Sequence, residues 1–480
     1  MQWAASMSAL AVAGPNGTRL VHLPAARADR VFQPNLLPSQ RQVWDQQLWM
    51  ARLGPKYTGN AAHTTFVEFL ADEFKKTGCD VSRDRYTLPR WEAKRWSIEV
   101  KPGEGSNDFN APVTSYFPYS GQTSAAGVGG QIVYAGSHPK FTLTGLQGKV
   151  ALIDFATNTR EWAHLYQQWG VNPPSEKFPD AMRPARGAVS DLTPFQKAGA
   201  VAVILGWTDV SDANAQDQYT PFSRPPQGIP GLYVGRGTLT RLRALGTAYA
   251  KVILEAETFP DTPTDTLVAT LPGSTDEVVI VNTHTDGPNA TEENGALGIL
   301  ALAQYFAKIP KAERKRTLVF PLTTGHFAGP WVPSIRGVIE KHPDVIKRAV
   351  AAITVEHLGC REWMDNASMR YAATGKNEWS VAITPDKAMG RALVDALNGS
   401  RDRAGVVNPV NGGWLGEGSS LSRAGIPTIG YIPQPNYLLA GPADGCIEKL
   451  NPALLHSQIQ VFAKLLHAIE TMDAGQLKGA

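Results

Sequence analysis

The sequence predicts an α/β protein of two domains, and three observations carry that reading. A chain of 480 residues that is 43% apolar and 19% charged has the composition of a soluble globular protein, yet is too long for one ordinary core. Between Val278 and Ala307 a buried strand runs through a Gly/Pro/Asn loop into an apolar helix, the strand–loop–helix order of an open α/β sheet. From about Asn107 to Asp261 the texture changes to short β-like runs punctuated by glycine and proline, which marks a β-rich insertion. The expected division is an N-terminal arm or leader remnant over 1–35, a principal domain over 36–106 and 262–480, and the insertion over 107–261.

The elements follow in order. Ala4 to Gly14 is a small-residue apolar run ending Ala-Val-Ala-Gly. It resembles the tail of a secretory signal, though short and without a basic n-region, and reads as a leader remnant of an exported or cell-envelope bacterial protein or as an arm lying on a neighbour; a cytoplasmic protein is the alternative. Pro38 to Lys76 is helical in pattern, with Trp44, Leu48, Met50 and Leu53 in a first segment and Phe66, Phe69, Leu70 and Phe74 in a second. Gly78 caps the second helix and opens a strand. Inside the insertion, short runs at Val128–Tyr134, Gly148–Asp154, Phe195–Leu205 and Ile229–Val234 alternate with turns. The segment from Arg160 to Arg186, rich in Trp, Tyr, Pro and charge, reads as a long loop. Pro260 to Asp265 is the expected return linker, and Leu267–Gly273 and Asp276–Thr283 the two strands that follow it. Further strands are expected at Arg316–Leu322 and Val350–Val355, and a final amphipathic helix at Pro452–Met472.

The chemistry concentrates in Val278 to Gly295. There His284-Thr-Asp286 ends the strand and Glu292-Glu-Asn-Gly295 opens the helix. This sets an imidazole and several carboxylates at the carboxyl end of a sheet strand, where open α/β sheets keep their sites. Neutral imidazole and carboxylate are the ligands zinc takes when a position is left open for water.

These residues and their order resemble the co-catalytic zinc exopeptidases, the family of aminopeptidase Y, glutamate carboxypeptidase II and the non-catalytic transferrin receptor. The family pattern is strand, His-x-Asp, loop, Asp-Asn-x-x-Gly, helix, a strand leading to Glu-Glu, another ending in an acid before Gly, and a late His. The resemblance implies a three-layer αβα sandwich around a mixed sheet, in which the two strands from Leu267 form a hairpin. It also implies that Gly148-Lys-Val-Ala-Leu-Ile-Asp154, Ala198-Gly-Ala200 and Ile229–Val234 belong to an inserted protease-associated domain. By position it implies His284, Glu293 and Glu356 as ligands of one divalent metal ion, zinc, with Glu292 taking the Glu293 role if the register slips. Asp286 would orient His284, and His326 falls at the general-base position.

The sequence also departs from that pattern. Phe327 stands where a metal-ligating Glu is expected, and no imidazole lies in Leu439–Ala443, so the second metal site is read as lost. His357 is expected on the opposite face of its strand, in a supporting role. Glu417, Ser419, Phe327 and Trp414 are expected to contact substrate, and Glu292 to share the catalytic work with His326. Twelve tryptophans, among them Trp162, Trp169, Trp331, Trp363 and Trp414, suggest an aromatic-walled pocket.

The reading is therefore a hydrolase of the metallopeptidase, aminopeptidase or amidase kind, acting on a peptide or small-molecule substrate through a mononuclear site. A transferrin-receptor-like binding protein and a glutaminyl-cyclase-like acyltransferase are the alternatives; the cyclases share the fold and a single zinc but keep the late His. A net charge of +3 gives no footprint for nucleic acid, and no long apolar run suggests a transmembrane helix. Cys79, Cys360 and Cys446 are too scattered for a disulfide framework and read as buried thiols. A homo-oligomer is left open.

Overall fold

The computed structural model describes residues 32–103, 106–156, 158–161, 166–168, 177–180, 191–218, 226–409 and 414–477. The 1–31 part of the expected arm, Trp162 and Trp169 lie outside these residues.

The principal domain is built on a run of strands whose interior members are largely apolar and buried on both faces. Val278–His284 pairs in parallel with Thr317–Thr323 on one side and Ala349–Val355 on the other. Beyond them Thr428–Pro433 continues in parallel, and Trp379–Ile383 joins it antiparallel. The sheet is therefore mixed. Continuous Val/Ile/Ala runs are what a doubly covered sheet demands. One helical layer comprises Gln40–Ala51, Ala61–Lys76, Gly295–Ala307, Lys387–Leu397 and Pro452–Thr471 and packs into a single large cluster with the sheet. The other comprises Ile335–Lys341 and Gly418–Arg423, packed on Val278, Ile280, Val319 and Ala352. The three-layer αβα expectation stands.

Gly295–Ala307 shows why the layer closes. Its Leu297, Ile299, Leu300 and Leu302 are all essentially buried, each worth roughly 1.5–3 kcal/mol of burial. A helix that is apolar on every side needs cover on every side. The Ala61–Lys76 and Pro452–Thr471 helices supply it on one side and the sheet on the other.

Two expectations change. Leu267–Gly273 and Val278–His284 do not form a hairpin, because Thr317–Thr323 lies between them, antiparallel to the first and parallel to the second. The Pro260–Asp265 segment is not a loose linker either. It lies within one 24-residue strand, Ala248–Leu271, paired antiparallel with Asp80–Pro102 along nearly its whole length. Pro263 sits opposite Thr87, close to a bulge between Leu88 and Arg90, where a residue without an N–H is tolerated.

That long strand joins the two halves. Its N-terminal end, Tyr249–Val252, pairs antiparallel with Val128–Ser137, and parallel strands Val150–Phe155, Ala202–Trp207 and Gly231–Val234 extend outward from there. Each of the runs expected in the insertion is thus a strand or carries one. Two apolar clusters cover the insertion's strands, one around Phe155, Phe195 and Trp207 and one around Val150, Ile204 and Leu239 that also takes in Ile98 and Val100 from the Asp80–Pro102 strand. Within the stretch expected to be one long loop, Asn158–Glu161 pairs with Lys177–Asp180, and Tyr166–Gln168 pairs with Val407–Pro409 at the far edge of the principal sheet. All three cysteines are buried and unpaired. Among the described residues no helix is long and apolar enough to cross a membrane.

Candidate metal centre

The Val278–His284 strand delivers His284 fully buried at its carboxyl end. Its Nδ1 lies 2.8 Å from the Asp286 carbonyl oxygen, so this nitrogen carries the proton and donates. Nε2 is left as a bare lone pair, with no hydrogen-bond partner. Asp286 therefore orients His284 through its backbone. Its carboxylate faces away, accepting from Thr58 Oγ1 at 2.5 Å and from the amides of His326 and Phe327 at 3.3 and 3.2 Å.

His357 repeats the arrangement. Its Nδ1 lies 2.8 Å from the Pro433 carbonyl oxygen, and its Nε2 is likewise without a hydrogen bond. The sequence places this ring on the far face of a continuing strand. The strand instead ends at Val355, and His357 takes a left-handed backbone (φ 59°), which turns its ring into the same cavity as Glu356. Histidine enters that region more readily than most residues. Asn294 fixes the bend, accepting from the Leu358 amide at 2.7 Å and donating to its carbonyl at 2.8 Å.

Glu292 completes the set. Asn289 shapes its loop: the side-chain oxygen accepts from the amides of Thr291 and Glu292, while the side-chain nitrogen donates to the carbonyls of Tyr437, Leu438 and Ala440. One ligand atom each from His284, Glu292 and His357 falls within 4.8 Å of the others. Glu292 Oε2 lies 3.1 Å from His357 Nε2. With Nδ1 protonated, those two atoms are both acceptors facing one another in a buried site, an arrangement that requires a cation between them. Without a metal that cation is a proton. Burial alone would lower the His357 pKa, but the Glu292 carboxylate outweighs it and holds the pKa raised. Burial would likewise raise the Glu292 pKa, and His357 holds it lowered. Two oriented imidazoles and a carboxylate are the donor set of a three-ligand zinc site. The residues present fit the ion.

Of the expected ligands, Glu293 and Glu356 are placed differently. Glu293 is fully buried with Oε1 2.7 Å from Lys56 Nζ, which is equally buried. Burial pushes the Glu293 carboxyl up to about 7 even with Lys56 opposing it. Gly287 is what lets the two glutamates pass, since a Cβ there would stand 2.5 Å from Glu293 Oε2 and 2.7 Å from the Glu292 side chain. Removing either member of a buried pair of this kind costs about 3–5 kcal/mol. Glu356 lies beside the cluster: Oε1 accepts from the Glu417 amide at 3.0 Å, and Oε2 has no hydrogen bond and sits 3.7 Å from His357 Nε2. Gly416 (φ 74°) is required there, for a Cβ would meet Glu356 Oε1 at 2.5 Å.

His326, on a short turn over His326–Ala328, stacks on His284 with ring centres 4.2 Å apart. Its Nδ1 is 3.5 Å from Glu417 Oε1. Burial works to lower the His326 pKa, but Glu417, with Glu356 and Glu292 behind it, raises it to about 9. Glu417 is itself tied to Ser334 Oγ, to Thr323 Oγ1 at 2.8 Å and to Asn282 Nδ2 at 3.5 Å, so it sits behind His326 rather than on the cavity wall. Phe327 is buried with its ring edge-on to His284, 6.0 Å between centres.

A cavity of about 200 Å³ opens onto these groups, lined by Glu292, His326, Glu356 and His357 on one side and Trp414, Leu415 and Ile432 on the other. Ser419 lies outside it, accepting from Arg423. Trp331 packs on Tyr119 and Trp363 on Tyr371, so of the described tryptophans singled out by sequence Trp414 alone lines this cavity. Lys56 was not anticipated. Its only signal in the sequence is a lysine inside the short turn between two core-packed helices, beside Thr58, which also reaches the site.

A mixed sheet between two helical layers, with its buried His and Glu groups at the strand ends, is the zinc-exopeptidase-like fold. Solved structures of that fold superpose over nearly the whole chain. The peptidase M28 precursor from Shewanella amazonensis matches with a TM-score of 0.64 at 16% identity, covering 90% of this chain and 96% of its own. BSAP, a zinc aminopeptidase from Bacillus subtilis, matches with a TM-score of 0.61 at 15% identity, covering 91% and 98%. The aminopeptidase from Aneurinibacillus sp. strain AM-1 matches with a TM-score of 0.57 at 16% identity, covering 90% and 95%. No protein-family model matches the sequence, and no curated protein does.

Proposed function

We propose that the protein is a metal-dependent hydrolase that cleaves an amide bond, in a peptide or a small molecule, through one zinc ion held by His284, Glu292 and His357. The observation that carries this reading is the pair of imidazoles whose Nδ1 protons are both committed to backbone carbonyls, so that both Nε2 lone pairs converge on Glu292. When bound, the ion supplies Lewis-acid polarisation of the scissile carbonyl and lowers the pKa of water at the site.

The chain's own groups do the rest. Glu356 Oε2 is cavity-facing and uncommitted, so it accepts the proton of the attacking water. Water oxygen bonds to the carbonyl carbon and the carbon–nitrogen bond breaks. His326, held by Glu417, donates a proton to the departing nitrogen and recovers one from Glu356, which balances the reaction. Trp414, Leu415 and Ile432 offer an apolar wall for the acyl or amine portion of the substrate. The insertion is read as a protease-associated domain beside this site.

The test is a panel of aminoacyl amides, peptides and small lactams offered to zinc-loaded protein. Turnover is expected, and His326→Ala is expected to lower it by roughly 10²–10⁴-fold while zinc content is kept. Full zinc loading with no turnover on any substrate would contradict the hydrolase and leave a binding protein.

A further inference from the structure

The cavity region gathers five buried carboxylates: Asp286, Glu292, Glu293, Glu356 and Glu417. Their partners differ. Asp286 takes one hydroxyl and two amides. Glu417 takes His326 and a set of hydroxyls. Glu292 and Glu356 face the space between the imidazoles. Glu293 alone is met by a lysine, and that lysine is firmly held. Its Nζ reaches the carbonyls of Gly54 and Met50 at 2.8 and 3.4 Å, and its backbone exchanges both hydrogen bonds with Gly287, at 2.8 and 2.9 Å. An ammonium so placed cannot swing out to solvent, and neither partner exposes any side-chain surface.

We infer that Lys56 is a positioning residue for the metal centre: its fixed ammonium withholds Glu293 from the ion, so that of two adjacent glutamates only Glu292 is a ligand. This rests on the mononuclear reading above. The sequence alone makes Glu293 the ligand, and in the fold the choice between neighbours is made from outside the motif. Gly287 lets the two carboxylates diverge, and Lys56 settles which one does. The two-way backbone bridge ties Lys56 to the same loop that carries Asp286, so the ammonium and the His284 orienting carbonyl are fixed together. Remove the ammonium and the Glu293 carboxyl loses its one cationic partner, so that an ion bound beside it is what would restore a counter-charge.

The experiment is zinc titration of the full chain against a fluorescent chelator, which reads affinity independently of any activity. In the native background Glu292→Gln should weaken zinc binding by about 100-fold or more, while Glu293→Gln should leave it within about threefold. Lys56→Met should tighten binding by about tenfold, and the Lys56→Met/Glu293→Gln double variant, which keeps a neutral pair of similar volume, should return to the native value. Glu293→Gln needs no change at Lys56, so the inference stays testable should Lys56→Met fail to fold. It is overturned if Glu293→Gln weakens binding as much as Glu292→Gln, or if Lys56→Met folds and its affinity equals the native. Failure of the native protein to bind zinc at all is a distinct result, which removes the metal reading and this inference with it.

Discussion

The Ala248–Leu271 strand joins the insertion's strands and the principal domain's into one sheet, and the ionisable groups at the strand ends of the two parts are treated differently. In the insertion, Asp154 near the end of Val150–Phe155 is buried, and one of its oxygens accepts from Tyr134 at 2.8 Å and from Arg243 at 2.9 Å. In the principal domain, His284, Glu292, Glu356 and His357 are equally buried, yet each leaves an atom without a hydrogen bond. The insertion also has scattered single atoms of this kind, such as Trp207 Nε1. What differs is convergence: ligand atoms of His284, Glu292 and His357 fall within 4.8 Å of one another, and Glu356 Oε2 lies 3.7 Å from His357 Nε2. A buried polar group with a partner supports the fold, whereas several without partners, aimed at each other, call for something that is bound.

Substitutions can break this contrast, beginning with the largest effect. His357→Ala removes a ring whose inner nitrogen meets only the carboxylates of Glu292 and Glu356. Zinc affinity should fall by about 100-fold or more, and metal-free protein should lose about 3 kcal/mol as Glu292 is left buried without its partner, as read by chelator competition beside denaturant unfolding. Asn289→Ala tests a residue close to the site whose bonds are all made. It strands three carbonyls and two amides in a buried loop, so about 3 kcal/mol of stability should be lost together with zinc affinity. Similar thermal stability in Asn289→Ala and native protein would show that the loop does not depend on it.

Glu378 offers a pH-dependent version. Burial pushes its carboxyl up to about 7 from an ordinary 4.5. The folded chain therefore keeps a proton that the unfolded chain releases between those values, and stability falls as pH rises across that window. Glu378→Gln should flatten this slope and make the protein about 3 kcal/mol more stable than native above pH 7, with no difference below about 4.5. Parallel stability curves across that range would refute it. The smallest effect is expected at Asp154→Ala. Its partner Arg243 is half-exposed and can turn to water, so a loss of about 1 kcal/mol and unchanged zinc content are expected. A zinc loss there would erase the distinction between the two sheet ends.

Much of this was legible in the sequence. The strand into His284 and the apolar helix after Gly295 announce themselves by composition, and the runs of the insertion by alternation with turn residues. What was not legible came from backbone geometry and from long-range contact. Strand alternation puts His357 opposite Glu356, and one left-handed residue brings both to the cavity. Adjacent glutamates are indistinguishable as letters, and Lys56, more than 200 residues away in sequence, separates them. Pro260 to Asp265 carries every mark of a linker, yet the partner strand from Asp80 holds it in register. Glu417 lies in a glycine-rich stretch that suggests a substrate loop, and the hydroxyls of Thr323 and Ser334 draw it behind His326 instead.

The central claim is that His284, Glu292 and His357 hold one metal ion. Elemental analysis of purified protein, after zinc is offered and excess removed, tests it most directly, with His284→Ala and His357→Ala beside the native chain. About one zinc per native chain and about none in either variant is expected. Native protein that retains no zinc, or variants that retain as much as native, would contradict it.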